Sequence, residues 1–359
     1  MTVHGGDVWQ VAGELRIPAG ELLDFSANVN PRGLPPGALA RLARDAADPQ
    51  LLRYYPDPSS RALRKALSDH LGVPAEAIVI GPGAEALLSP ALQSLQAPRA
   101  LVPVPAFSEY RRVCAQQHVE FVPFPLDRAD SFRLPVSDLC DLLQRERFGA
   151  VIVNNPHNPS GGLLEEDEVR QIVDTGTPVL LDEAFIDYAA HASLVADAAS
   201  RAGVIVLRSL TKFYGCPALR VGYAVAHPDT ARAIQALLPT WPVTQFALDA
   251  LTVALEDRAY AEATLRENAA RRETFGSQLG ALGLTVFPSA ANYLLLELRA
   301  GMPPAAEIRR RLIERHRILI RNCDSYEALE PGRYVRVAVL SDEENLRMVQ
   351  ALTKELQHL

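Results

Sequence analysis

Five short runs rich in β-branched residues, AIVI at 77–80, ALVPV at 100–104, AVIVNN at 150–155, PVLLDEAF at 178–185 and VIVLRS at 204–209, recur between longer stretches of helical period. No other feature constrains the chain as strongly. Strands this apolar must be covered on both faces, and the intervening segments GAEALLSPALQSLQ, FSEYRRVCAQQH, SDLCDLLQRER and EEDEVRQIVDTG have the apolar spacing of crossover helices. The pattern predicts an α/β fold with a mostly parallel sheet covered by helices.

After about residue 240 the rhythm changes. A long region rich in alanine, arginine and glutamate, 252–283, precedes NYLLLEL, a helix around AAEIRRRLIERH, and the apolar runs ILI and YVRVAV. These predict a smaller α+β domain joined through a long helix. The expected division is an N-terminal arm with part of the small domain at 1–45, a large domain at 46–245 and a small C-terminal domain at 246–359. A chain of 359 residues, 48% hydrophobic and 22% charged, is long enough for such an arrangement. The formal charge of −7, with no basic run, argues against a nucleic-acid partner. Cys114, Cys140, Cys216 and Cys323 lie far apart without metal-ligand spacing, so free thiols and no metal are expected. With no leader-like N-terminus and no apolar stretch of membrane-spanning length, the expected location is the cytoplasm.

In open parallel sheets, function gathers at the carboxyl ends of strands. Four segments fall there. GPGAEALL, Gly81 to Leu88, is a glycine turn opening a helix, where amides of Gly83, Ala84 and Glu85 suit a phosphate; the alternative is a plain strand-to-helix connection. VNNPHNPSGG projects Asn158 from a backbone stiffened by two prolines, or is simply a proline-rich loop. Asp182, at a strand end beside Glu183, suits metal binding, support of a base, a salt bridge to a heterocyclic nitrogen, or capping of the next turn. SLTKFYGCPALRVGY places Lys212 among small, aromatic and apolar residues with Arg220 eight positions on, a costly setting for an amine that has no partner or chemical task.

Taken together and in this order, the four segments resemble the fold type I pyridoxal-phosphate enzymes, the aspartate aminotransferase superfamily, over nearly the whole chain. The resemblance implies the fold of a fold type I PLP-dependent transferase and pyridoxal 5'-phosphate as cofactor. Lys212 would hold the cofactor covalently, Asp182 would pair with its ring nitrogen, and Asn158 would bond its ring oxygen. Phe107 in VPAFSEY would stack on the ring. Ser209, Arg220 and the amides around Gly83, Ala84 and Glu85 would hold its phosphate. Tyr55 in RYYPDP resembles a tyrosine that reaches the phosphate of a neighbouring subunit, which implies a homodimer with shared active sites.

Within the superfamily the segments HGGD, LLDFSANVNPRGLP, RYYPD, DEAFIDY, ANYLLL, ILIRNC and YVRVAV are similar to threonine-phosphate decarboxylases of cobalamin biosynthesis, relatives of histidinol-phosphate aminotransferases. This implies a lyase that converts L-threonine O-3-phosphate to (R)-1-aminopropan-2-ol phosphate and CO2. Arg336 would meet the substrate carboxylate and Arg321 the substrate phosphate, with Asn28 and His4 closing from the N-terminal arm. Two departures from that pattern are a less polar phosphate loop and Asp7 where asparagine is expected. Phe185, where the aminotransferases usually carry tyrosine, favours the lyase. A phosphorylated-amine aminotransferase is the alternative, and a non-catalytic ligand sensor on the same fold is a third reading.

Overall fold

The computed structural model describes residues 5–356; His4 lies outside them. Thirteen strands are present among these residues. In chain order they are β1 (Leu23–Asp24), β2 (Ile78–Gly81), β3 (Arg99–Val104), β4 (Glu120–Pro125), β5 (Ala150–Asn154), β6 (Val179–Asp182), β7 (Val204–Ser209), β8 (Gly222–Ala226), β9 (Thr285–Val286), β10 (Tyr293–Glu297), β11 (Ile318–Leu319), β12 (Arg321–Asn322) and β13 (Tyr334–Ala338).

Seven of them build one sheet in the order β2-β8-β7-β6-β5-β3-β4, in which β8 alone runs against the rest. The strands are apolar on both sides because both sides are covered. Val179 and Leu181 of β6 enter one core with Val204 and Val206 of β7, while Leu180 enters a second with Ile205 and Leu207. The crossover helices Ala84–Ser94, Ser108–Gln116, Val136–Arg145 and Glu166–Asp174 match, to within one residue at their starts, the segments whose spacing predicts them. The last of these begins with a capping box, Glu165 and Glu168 each accepting from the other's backbone amide.

Two strands of this sheet escape the sequence pattern. β4 carries Pro123 and Pro125, tolerated because it is an edge strand with one side free of ladder bonds. β8 is only GYAVA, small-residue-rich and reversed.

The second sheet is antiparallel, in the order β12-β13-β10-β9. It shares a core with Phe275 and Leu279 of the helix Arg258–Ala281 and with Met348 and Leu352 of the helix Asp342–Leu356. The long helical region is two helices, broken where Asp257 accepts from the Tyr260 amide and caps the second. The first, Gln245–Glu256, buries Ala247, Leu248 and Leu251 in the core beside the large sheet although it begins next to the expected boundary of the small domain. The N-terminal segment packs with the C-terminal elements: β1 pairs in parallel with β11, and Phe25 sits in the core shared by β10 and β13.

Candidate active site

The carboxyl ends of β2, β5, β6 and β7 open on a cleft of about 620 Å³, closed on its far side by β12, β13, Gly5 and residues 26–28. Lys212 lies at its floor on the single helical turn Leu210–Phe213 that follows β7, with its carbonyl accepting from the Asn30 amide (3.1 Å). Burial brings its amine down to about 8, helped by Arg336 and Arg220 and opposed by Asp24 and Asp182. An amine in this state is reactive near neutrality.

Asp182, the last residue of β6, is buried in the same cleft. One carboxylate oxygen accepts from the Tyr110 hydroxyl (2.6 Å) and the other from the Ala184 amide (3.0 Å). Burial raises its pKa against these bonds and Lys212, so an additional cation against it is favourable. Its neighbour Glu183 turns to the other side of the sheet, where Arg208 lies beside it and Ser193 and the Leu194 amide donate to it. Of the two acids flagged by the sequence, Glu183 is thus structural. Asn158 lines the cleft on the loop after β5, its amide held by the Asn154 side chain (2.7 Å). In the same loop the half-buried His157 bonds Ser160 Oγ (2.7 Å) and the Pro105 carbonyl (2.8 Å), and desolvation lowers its pKa to about 4, keeping the ring neutral. Phe107 also faces the cleft, edge-on to Tyr110.

At the opposite end the helix Ala84–Ser94 points its N-terminus inward. The Ala84 and Glu85 amides have no backbone acceptor there, whereas the Gly83 amide is spent on the Gly81 carbonyl (2.8 Å). Gly83 therefore serves through conformation and closeness rather than as a donor, a correction to the amide role expected of it. Its φ of +104° favours glycine, and a Cβ there would stand 3.1 Å from Arg220 Nη2. Gly222, opposite Ser209 in the ladder, has no room for a Cβ, which would fall 2.3 Å from the Ala84 nitrogen. Ser209 Oγ lies 3.0 Å from Thr211 Oγ1, and Arg220 faces the same hollow. Unspent amides, a hydroxyl and a guanidinium around a cradle kept clear by glycines form a donor set for a phosphate.

Across the cleft, Arg321 of β12 and Arg336 of β13 are directly opposite in the antiparallel ladder, and both are buried. Arg321 donates to Ser325 Oγ (2.6 Å). Arg336 donates to Asn158 Oδ1 (2.5 Å), the Tyr326 hydroxyl (3.1 Å) and the Ser26 carbonyl (3.0 Å), with its guanidinium over the Tyr293 ring. It makes no ion pair among the described residues, and its Nε is buried without a partner. Asn28 lines the cleft with its side-chain oxygen likewise unpartnered. Phe185 packs edge-on against Tyr293. Gly5 reaches the rim, Gly6 donates to Ser26 Oγ (2.8 Å), and Asp7 pairs with Arg309 (2.7 Å). Tyr55 is not among the residues lining the cleft of its own chain; it is exposed and stacked on Trp241 (4.3 Å).

Tyr110, Tyr326 and Tyr293 contact Asp182, Asn158 and Arg336, and sequence reasoning does not single them out. Tyr110 stands one helical turn after Phe107 in AFSEY, but its partner Asp182 is 72 residues away. Only the fold joins them.

A parallel sheet that brings a lysine, a buried aspartate and an anion-binding helix start to one cleft defines an α/β enzyme of the fold type I class, which works with pyridoxal 5'-phosphate. The chain belongs to the aminotransferase class I and II family, whose profile matches residues 20–352. It is 36% identical to the threonine-phosphate decarboxylase of Salmonella typhimurium over 364 aligned positions, covering 99% of this chain and 97% of that protein. The solved L-threonine-O-3-phosphate decarboxylase of Porphyromonas gingivalis superposes with a TM-score of 0.80 at 25% identity, covering 94% of this chain and all of the other. The histidinol-phosphate aminotransferase of Clostridium acetobutylicum superposes with a TM-score of 0.86 at 26% identity over the same share of this chain and the whole of its own.

Proposed function

We propose that the protein removes the carboxylate of L-threonine O-3-phosphate as CO2 and releases (R)-1-aminopropan-2-ol phosphate, a step of cobalamin biosynthesis. The observation that carries this reading is the facing pair Arg321 and Arg336, two buried guanidiniums opening onto the cleft of Lys212. Two buried guanidiniums on one face of the ladder suit a ligand that carries two separate anions.

The residues fit the cofactor: Lys212 supplies the amine, Asp182 the buried carboxylate for the ring nitrogen, Asn158 and Phe107 the ring contacts, and Ser209, Arg220 and the Ala84 and Glu85 amides the phosphate grip. Bound there, pyridoxal 5'-phosphate supplies an electron sink for bond cleavage at the substrate α-carbon. Arg336 holds the carboxylate that departs and Arg321 the phosphate that stays, so the substrate is fixed at two points before any bond breaks. Lys212, with its amine near 8, carries the proton that returns to the α-carbon. Asn28 borders the substrate side of the cleft from the N-terminal arm.

The working unit in this reading is a homodimer in which Tyr55 serves the neighbour's phosphate site. Its support is the exposed Tyr55–Trp241 stack together with exposed Leu52 and Tyr54. The location is cytoplasmic, and no nucleic acid or membrane takes part. The four cysteines are unpaired, and no helix among the described residues is long and apolar enough to cross a membrane.

The test is a product assay on the purified holoenzyme. Threonine phosphate yields CO2 and aminopropanol phosphate, while histidinol phosphate with 2-oxoglutarate yields no glutamate. Glutamate from the second reaction with no CO2 from the first makes the protein an aminotransferase. Turnover of neither, with the cofactor bound, favours the sensor reading.

A further inference from the structure

We propose that Tyr326 is a positioning residue that determines specificity, fixing the two arginine grips relative to each other and leaving the correct edge of Arg336 for a carboxylate. The inference rests on the two-anion reading of the cleft. Arg321 and Arg336 project from the same face of the β12–β13 ladder, where opposed cations would drive each other to other rotamers. The connection between the two strands returns Tyr326 to the space beside them, anchored by its amide on the Cys323 carbonyl (2.9 Å). Its ring lies against the Arg321 guanidinium, 5.4 Å from centre to carbon. Its hydroxyl accepts from Arg336 Nη1 (3.1 Å) and donates to Asn158 Oδ1 (3.0 Å). One side chain therefore touches both grips.

A count of donors gives the consequence. Arg336 Nη1 is turned to both Asn158 Oδ1 and the Tyr326 hydroxyl, and one hydrogen of Nη2 is taken by the Ser26 carbonyl. What remains is the second Nη2 hydrogen and the Nε hydrogen, whose nitrogen is buried without a partner. Nε and Nη2 flank one edge of the guanidinium, at the spacing that matches the two oxygens of a carboxylate. The Tyr326 hydroxyl holds that edge in place. The ring, separately, packs Arg321 into the position that receives the second anion.

The two halves of the side chain make separable predictions, tested by equilibrium binding to the holoenzyme of O-phospho-L-threonine, L-threonine, which lacks the phosphate, and O-phosphoethanolamine, which lacks the carboxylate. Tyr326→Phe keeps the ring and loses the hydroxyl. It weakens both carboxylate ligands about 10-fold, the loss of one hydrogen bond to a charged group, and leaves O-phosphoethanolamine within about 2-fold. Tyr326→Gln keeps a polar end and loses the ring, and it weakens O-phosphoethanolamine more than L-threonine. Either variant suffices if the other does not fold. A variant that weakens all three ligands by one factor, or none of them, overturns the assignment. Failure of the unsubstituted protein to prefer O-phospho-L-threonine over both partial ligands instead overturns the two-anion reading.

Discussion

The Lys212 amine is held down to about 8 chiefly because it is desolvated, with the positive charges of Arg336 and Arg220 adding to the effect. Since the neutral amine is the nucleophile, acetylation of Lys212 in the apoprotein rises as pH climbs through about 8. Peptide mapping reads this cleanly because the chain has only three lysines, and Lys65 and Lys354 are exposed. Replacement of Lys212 by alanine lowers turnover by at least about 100-fold, the lower range for loss of a proton-transfer group. It also abolishes the borohydride-stable attachment of cofactor to the protein, measured by mass. Tyr110→Phe removes the hydroxyl that holds Asp182, so cofactor affinity falls about 10-fold, the usual weight of a hydrogen bond to a charged group, as read by dialysis. Lys212, Asp182 and Asn158 were legible as residues of one cleft because each sits in a short motif at a strand end. Tyr110 and Tyr326 were not, since a bare tyrosine one turn from a phenylalanine or five residues from an arginine has no local signature until the sheet brings its partner near.

Elements do the positioning. The phosphate hollow exists because β8 passes so close to the start of the helix Ala84–Ser94 that only glycine fits at 222. Gly222→Ala therefore forces the helix start outward, destabilising the fold by about 1 to 3 kcal/mol and weakening the cofactor in parallel, as thermal unfolding and cofactor titration would record. At the arm, a Cβ at Gly5 would fall 2.2 Å from the Ser26 carbonyl oxygen, the atom that also accepts from Arg336. Gly5→Ala should raise KM for the phosphorylated substrate while leaving cofactor affinity within about 2-fold, because the displaced segment borders the cleft on the substrate side. The parallel strands were readable from their β-branched runs, since burial on both faces leaves a continuous apolar signature. β4 was hidden by its prolines and β8 by its alanines and glycines, which carry little strand preference. The Asp257 break was hidden because helix-forming residues flank it on both sides.

For the whole molecule, the exposed aromatic pair Tyr55 and Trp241 marks the face assigned to a second copy. Trp241→Glu should yield monomers by size-exclusion chromatography with light scattering and should weaken cofactor retention, since Tyr55 would no longer reach the neighbouring site. A variant that is monomeric yet keeps full affinity would separate assembly from the shared phosphate grip. The division between the large, mostly parallel sheet and the smaller antiparallel one was legible in outline. Its seam was not, because Gln245–Glu256 reads as part of the following helix and only packing shows which core receives it. The bond from Arg336 to the Ser26 carbonyl spans 310 residues of chain. At ordinary ribosomal speeds of about 5 to 20 residues per second, roughly 15 to 60 s separate the synthesis of its two ends. A nascent polypeptide can thus complete the large sheet and still lack the wall that receives substrate, so catalytic competence arrives only as translation finishes.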